Sequence, residues 1–292
     1  TSCEEVQTEG REMSLIRDGA RLGELTEDEI VRLGEHTEML GVRDMVRAIG
    51  SRSSGEAFLR AEEHGGGLAV FSEAIASPYF NRVFGLGLDG PLDLQLLDRL
   101  DAIYRATTAV ALVQIHDGEN TPAVRERAAK LGWQSAPGWV KMMRDNAPPI
   151  EIRTELRIQR IGPEQAAAMG AITVDAFHMP SETAALAGGL LREPDWHIYG
   201  AFDSHALVAV GALAMYGQVG YLAVGATAVS HRNRGAQGTI MARRLRDGAE
   251  LGAQIFVTET GMETAEQPNS SYHNMLRLGF KLAYHRADYV IG

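Results

Sequence analysis

The sequence predicts an α/β protein built as two successive halves, and three observations carry that prediction. Apolar runs of strand length alternate with amphipathic stretches of helix length over most of the 292 residues. One order of elements occurs twice. Strand 79–88, helix 91–104, strand 109–115, helix 121–131 and Leu131-Gly132-Trp133 form one series; strand 221–229, helix 239–251, strand 254–260, helix 270–277 and Leu278-Gly279-Phe280 form the other. Between them Asp145-Asn-Ala-Pro-Pro149 reads as a linker, dividing the chain into 1–149 and 150–292.

In the first half, Thr26-Glu-Asp-Glu29 is a capping-box signature, and a helix to about Ala48 follows with Ile30, Leu33, Leu40 and Val46 on one face. Gly50–Gly55 breaks the chain. A short helix is expected over 57–63, then a glycine turn at His64–Gly67 and a strand at 68–71. Residues 79–88 read as a strand, and Pro91 starts a helix that buries Leu92, Leu96, Leu97, Leu100 and Ile103. A strand at 109–115, a helix at 121–131 and a strand at 139–143 complete the half.

The second half opens with a strand over 152–161 and a helix over 163–177 with Pro163 at its first position. Ser181 caps a second helix to 191. Strands at 196–202, 206–216 and 219–229, joined by short polar turns, are expected to form an antiparallel meander.

Composition bounds the function. With 45% hydrophobic and 23% charged residues, the chain is that of a globular protein, and no apolar run approaches the roughly 18 residues of a membrane span. Residues 1–12 are acidic, carry no apolar signal core and read as a mobile leader ahead of Met13; a cytoplasmic location follows as the expectation. Cys3 is the single cysteine, which excludes an internal disulfide and speaks against a thiol nucleophile or a thiolate metal site. No His/Cys/Asp spacing supports a metal site.

The stretch from Tyr221 to Thr260 concentrates the chemistry. A strand hands over to a helix through Ser230-His-Arg-Asn-Arg-Gly-Ala-Gln-Gly238, where unpartnered backbone N–H groups and the helix dipole favour an anion. From His231 to Arg246 there are five arginines and no acid, in a chain of formal net charge −10. A basic pocket in an acidic protein points to a small polyanion rather than to nucleic acid. Taken alone, the loop also fits an ordinary turn before a helix with a solvated basic face.

The order Arg232-Asn-Arg-Gly235-Ala-Gln237, between strand and helix, resembles the acyl-CoA pyrophosphate loop of the GNAT-type N-acetyltransferases, whose pattern is Arg/Gln-x-x-Gly-x-Gly/Ala. Gln237 departs from that pattern, with Gly238 beside it. Asn274-Met-Leu-Arg-Leu-Gly-Phe280 resembles the family's last core helix, and the resemblance covers about 155–292. It implies two tandem GNAT-like domains, each a mixed, largely antiparallel twisted sheet flanked by helices, with 1–149 degenerate and 150–292 binding acyl-CoA. The implied activity is direct transfer of an acetyl group from acetyl-CoA to the primary amine of a small or amino-acid-like acceptor. No metal, nucleic acid or membrane partner is implied, and a homodimer is compatible with the family.

Residue by residue, the resemblance places pantetheine against Thr227, Ala228 and Val229, and the diphosphate against Arg234, Gly235, Ala236, Gln237, Gly238 and Thr239. The family's usual thiolate donor, a tyrosine, is replaced by Met275; Tyr272 is the candidate substitute and Glu259 the candidate base. His273, Glu263, His178 and His197 are weaker candidates. The acceptor pocket is expected from 177–192, strand 206–216 and loop 261–269. Two alternatives stay open. One is a non-catalytic acyl-CoA sensor; the other is a nicotinamide-dinucleotide enzyme using Gly85, Gly87 and Gly90, which match Gly-x-Gly-x-x-Gly. Against the latter, the acidic stretch Asp89–Asp93 would repel a pyrophosphate.

Overall fold

The computed structural model describes residues 15–50, 59–72, 75, 77–88, 90–107, 110–118, 120–184 and 188–292. The expected leader, Cys3, the Gly50–Gly55 break from residue 51 onward, and Asp89 lie outside these. The first half runs α1 (Glu27–Gly50), β1 (Arg60–His64), β2 (Gly67–Phe71), β3 (Arg82–Phe84), α2 (Leu94–Arg105), β4 (Ala111–His116), α3 (Thr121–Lys130), β5 (Gln134–Ala136) and β6 (Trp139–Asp145). The second half runs β7 (Arg157–Arg160), α4 (Ala166–Phe177), β8 (Trp196–Asp203), β9 (Ala206–Tyr216), β10 (Val219–Thr227), α5 (Ala236–Glu250), β11 (Ile255–Gly261), α6 (Ser270–Arg277) and β12 (Lys281–Ile291).

Among the described residues all strands join one twelve-stranded sheet in the order β1-β2-β3-β4-β12-β6-β11-β10-β9-β8-β7, with β5 also paired to β12. The expected meander β8-β9-β10 is present and antiparallel. The sheet is not divided at the expected linker 145–149, whose Asp145 is the last residue of β6. β6 pairs antiparallel with β11 of the second half, and β12, the last strand of the chain, pairs with β4 of the first. Each half therefore lends its terminal strand to the other, and neither 1–149 nor 150–292 holds all the strands of one half-sheet.

Where the halves interlock, the sheet carries charge. Lys141 on β6 stands in register with Glu259 on β11 and with Tyr284 on β12. Helix α1 lies over this seam, its Gly34 and Gly41 bringing its backbone against the rings of Tyr284 and Tyr221. It contributes Glu35 and Glu38, both fully buried. Lys141 bonds Glu38 at 2.6 Å and also Glu259. Arg286 bonds Glu35 at 2.7 Å and also Glu38, while Arg82 reaches Glu38 at 2.9 Å. Three carboxylates, Glu35, Glu38 and Glu259, thus meet three cations, Arg82, Lys141 and Arg286, and the balance is what lets ions stay buried. Burial opposes the ionisation of Glu38, but Arg286, Lys141 and Arg82 outweigh it and hold its carboxyl well below the usual range.

Apolar packing follows both faces of the sheet. α1 and α4 cover one face of the second half, burying Leu33, Met169, Ile198, Val210 and Val257; α5 and α6 cover the other, burying Leu222, Ile240, Met241, Phe256 and Phe280. In the first half α2 and α3 pack Leu97, Leu100 and Val124 against Val83, Val113 and Tyr289. Among the described residues no helix is long and apolar enough to cross a membrane.

Several elements differ from expectation. The helix expected over 57–63 is instead strand β1 from Arg60, because Gly65 and Gly66, both with positive φ, turn the chain back onto β2 in register His64↔Gly67. Only Arg82–Phe84 of 79–88 is strand. Of the helix expected over 181–191, Ser181–Thr183 and Gly188–Arg192 are 3-10 turns and Ala184 is helical, with 185–187 outside the described residues. Strand β12 follows Gly279-Phe280 and lay beyond the last element of the expected series.

Candidate active site

The site begins where two parallel strands part. β10 and β11 pair only over Val219–Tyr221 and Ile255–Val257, although β10 continues to Thr227 and β11 to Gly261. On its other side β10 bulges. Ala223 pairs with Ala212 and Ala226 with Val210, so Val224 and Gly225 stand opposite Gly211 alone. Val224 has φ +50°, a left-handed conformation that a β-branched residue rarely adopts.

Arg244 of α5 holds this shape. Its Nη1 donates to the Ala212 oxygen at 2.7 Å and to the Ala223 oxygen at 3.1 Å, one on each flanking strand. Gly211 leaves the room, since a Cβ there would lie 2.9 Å from the guanidinium carbon. Burial pushes the Arg244 pKa down to about 10, which leaves the group cationic at neutral pH.

A cleft of about 1210 Å³ opens beside the parted strands, lined by Gly225–Thr227, 231–238 and the α6 residues Ser270, Ser271 and Asn274. Gly235 precedes α5 with φ +80°, and having no side chain it leaves the first N–H groups of the helix uncapped. A Cβ on Gly235 would also lie 2.9 Å from the Arg153 oxygen. The helix start is therefore a preformed anion site, with Ala236, Gln237 and Gly238 supplying its N–H groups. The Thr239 N–H is already spent on the Gly235 oxygen at 3.0 Å. Gly238 keeps the helix close to Ile152, which a Cβ would meet at 2.7 Å, so its glycine serves packing. Arg232 lines the cleft, while Arg234 pairs with Asp203 at 2.7 Å and lowers the Asp203 pKa.

Thr227 lines the cleft, but Ala228 and Val229 do not. The Ala228 N–H bonds the Val208 oxygen at 2.9 Å, and Val229 is 57% exposed in a 3-10 turn. The backbone facing the cleft is Gly225–Thr227, shifted toward the bulge.

On α6 the expected Tyr272 and its neighbour Ser271 face different ways. Tyr272 lines neither cavity; its ring packs against the core under α5. At about 100° per residue, positions 271 and 272 flank position 275 on opposite sides, and the cleft side belongs to Ser271. Ser271 lines the large cleft and a second cavity alike. Its hydroxyl oxygen accepts from Gln237 Nε2 at 2.9 Å, and Gln237 Oε1 accepts from Asn274 Nδ2 at 2.8 Å. That leaves the Ser271 hydroxyl hydrogen free to donate.

The second cavity, of about 350 Å³, passes through the gap between β10 and β11. Met241 and Met275 line it from the α5–α6 face; Phe177 and Leu190 line it from the α4 face. Glu259 lies at its wall, 13% exposed, bonded to Lys141 and receiving the Tyr221 hydroxyl at 3.4 Å. Burial, and then the Glu38 charge, raise its pKa against the pull of Lys141 and Arg286. Of the expected acceptor segments, Phe177, Met179, Thr183 and Leu190 line this cavity, whereas β9 and 261–269 do not. The first half supplies Met45, Tyr79, Phe80, Arg82 and Trp139.

The first-half glycines have a different job. Gly87 is packed against Asn120, whose Oδ1 accepts from Leu92 N at 3.0 Å. The start of α2 is capped by its own carboxylate, Asp93, accepting from Gln95 N at 2.9 Å. A pyrophosphate would meet that carboxylate where α5 offers bare N–H groups, so the dinucleotide reading of Gly85, Gly87 and Gly90 finds no support. Neither His178 nor His197 lines either cavity, and His273 pairs with Glu263 at 2.8 Å.

Sequence reasoning missed Ser271, Arg244 and Lys141. Gln237 carried the available signal for Ser271, since a long polar side chain at a position of small residues asks for a partner.

No protein-family model matches this sequence, and no curated protein does. Solved structures do. A GCN5-related N-acetyltransferase from Kribbella flavida matches with a TM-score of 0.61 at 15% identity, over 88% of this chain and 95% of that one. A tandem GNAT protein from the clavulanic acid biosynthesis pathway matches at 0.56 and 12%, over 91% and 96%. A GCN5-related N-acetyltransferase from Sphaerobacter thermophilus matches at 0.56 and 12%, over 88% and 89%. At these identities the likeness is one of fold.

Proposed function

We propose that this chain, which has the GNAT fold, is an N-acetyltransferase that moves the acetyl group of acetyl-CoA directly onto a primary amine of a small molecule. The observation that carries the reading is the continuity of two features. The uncapped helix start at Gly235–Gly238 and the end of β10 at Gly225–Thr227, beside its bulge, line one cleft, and that cleft meets the second cavity at Gly225, Gln237 and Ser271.

The residues fit such a ligand. The α5 N–H groups and Arg232 suit a diphosphate. The bulged backbone of β10 offers N–H and C=O groups to an extended amide chain. An acyl group at the gap would lie between the two cavities, and an amine would enter from the Glu259 side. There the work is mainly placement. The amine nitrogen forms the C–N bond, the C–S bond breaks, and its electron pair leaves with sulfur. Glu259, with its raised pKa, takes the ammonium proton. Ser271, its oxygen held by Gln237, donates a hydrogen bond to the departing sulfur.

Release of free thiol from acetyl-CoA in the presence of a panel of primary amines tests this. Amine-dependent thiol release supports transfer. Binding of acetyl-CoA with no amine consumed supports the sensor reading instead, which the pairing of Glu259 with Lys141 favours.

A further inference from the structure

The cavity in the gap between β10 and β11 has lining on both faces of the sheet, and an acceptor entering at Glu259 uses only one of them. Glu259 shares the face of Val257, which α1 and α4 cover, while Thr258 between them points to the α5 side. On that side Gln237, Met241 and Arg244 line the cavity. Steps of four and then three residues put them on one face of α5.

Arg244 stands apart in that row. It is 2% exposed, and Nη1 alone makes its bonds to the Ala212 and Ala223 oxygens, so the Nε–Nη2 edge takes no part in them. Nε is buried with no hydrogen-bond partner. Arg82, Lys141 and Arg286 all hold carboxylates, but among the described residues no acid faces Arg244; burial lowers its pKa, opposed only by the Tyr199 hydroxyl. A buried cation without a counter-charge is costly, and a buried N–H without an acceptor adds to that cost. The free edge presents two parallel N–H groups, the fork that a carboxylate takes with both oxygens.

The position of Arg244 says which part of a ligand would bring the carboxylate. It holds the Ala223 oxygen immediately ahead of the bulge at Val224 and Gly225, behind the place where the thioester would lie. The other polar side chains on this side are engaged: Gln237 with Ser271 and Asn274, and the Thr258 hydroxyl with the Leu222 oxygen at 2.8 Å. An acyl chain running from Ser271 toward α5 would have Met241 and Met275 along its length and Arg244 at its end.

We propose that Arg244 receives the terminal carboxylate of the acyl group, so that the cavity takes the CoA thioester of a short dicarboxylic acid in preference to one with a neutral acyl chain. This rests on the acyl-CoA reading of the cleft and deepens it by naming the acyl class; acetyl is then the smaller group the site holds. The transfer step is the same. The C–N bond forms, the C–S bond breaks with its electron pair leaving on sulfur, and the far carboxylate stays on Arg244.

The test is calorimetric titration of succinyl-CoA and butyryl-CoA, whose four-carbon acyl groups differ by the terminal carboxylate. Succinyl-CoA is expected to bind the wild-type chain about tenfold more tightly, a difference of about 1.4 kcal/mol. Arg244→Gln keeps an amide donor for the carbonyls and removes the charge, and the two thioesters are expected to bind it within about twofold of each other. Equal binding to the wild type overturns the proposal, and this pair decides even where the variant does not fold. A preference for succinyl-CoA that survives in folded Arg244→Gln overturns it as well. A second pair, β-alanine and propylamine, is titrated into the CoA-saturated chain. Tighter binding of β-alanine with no preference between the thioesters assigns Arg244 to the acceptor and overturns the acyl assignment. Where CoA binds and the thioesters do not differ, this inference falls alone; where neither CoA nor a thioester binds, the acyl-CoA reading of the cleft falls and takes this inference with it.

Discussion

Gln237 at the start of α5 donates to the Ser271 hydroxyl on α6 at 2.9 Å, tying the helix that would hold the diphosphate to the helix that faces the acyl group. Two departures from the GNAT pattern, Gln237 and Met275, thereby meet at one place. Ser271→Ala is expected to lower kcat about 10- to 100-fold with KM for both substrates nearly unchanged, since the lost bond matters once charge develops on sulfur. Gln237→Ala is expected to give a smaller fall by freeing the serine to rotate. Steady-state kinetics of both variants check this; an unchanged kcat in Ser271→Ala removes the serine from the mechanism.

Arg244 is the pin of the bulge. Arg244→Met keeps the length and leaves the Ala212 and Ala223 oxygens without their donor. A loss of roughly 2–3 kcal/mol of stability is expected, together with weaker acetyl-CoA binding. Urea unfolding and titration of acetyl-CoA read the two effects separately.

Lys141 lies fully buried between Glu38 and Glu259. Lys141→Met removes one of the three cations that balance Glu35, Glu38 and Glu259 and leaves one buried negative charge uncompensated, and about 3–5 kcal/mol of destabilisation is expected. Since β6 and β11 come from different halves, the loss is expected to appear as one cooperative transition in calorimetry rather than as the melting of one half alone.

With Glu259 as the proposed base, its raised pKa is expected to set the acid limb of activity. A base must be ionised, so kcat/KM falls as pH drops through the folded-state value, which lies above that of an ordinary carboxylate. Glu259→Gln is expected to lose most of the activity and, in what remains, the limb. A residual activity that keeps the same acid limb assigns the proton to another group.

Asp288, buried on β12 against Gln114, has its pKa raised by burial from 3.8 to about 7. Between those values the folded state binds more protons than the unfolded one, so stability falls as pH rises and levels off above about 7. Asp288→Asn is expected to flatten that slope and to raise Tm at pH 8 by about a few degrees. Melting curves from pH 5 to 8 on both proteins check the sign.

Much of the fold was legible because it is written in local patterns. The β8-β9-β10 meander, α5 after its glycine turn and the repeated strand–helix order all rest on apolar periodicity and turn residues. The exchange of β6 and β12 was not legible, because pairing partners distant in sequence leave no periodic trace. Glu35 and Glu38 are acids within an amphipathic helix, with nothing local to mark their burial against cations from three other elements. At the site, the glycine turn before α5 could be read from residue order, although the helix begins at Ala236 rather than at the expected 239. The turn of α6 that favours Ser271 over Tyr272 could not, since the two neighbours differ only in which side of Met275 they occupy.

The measurement closest to the central claim is calorimetric titration of acetyl-CoA into the wild-type chain and into Gln237→Glu, which sets a carboxylate beside the bare N–H groups of α5 without changing the backbone. Micromolar binding to the wild type, on the order of −8 kcal/mol, and at least tenfold weaker binding to the folded variant are predicted. Wild-type protein that binds no acetyl-CoA, or a folded variant that binds it equally well, contradicts the account of this cleft as the acyl-CoA site.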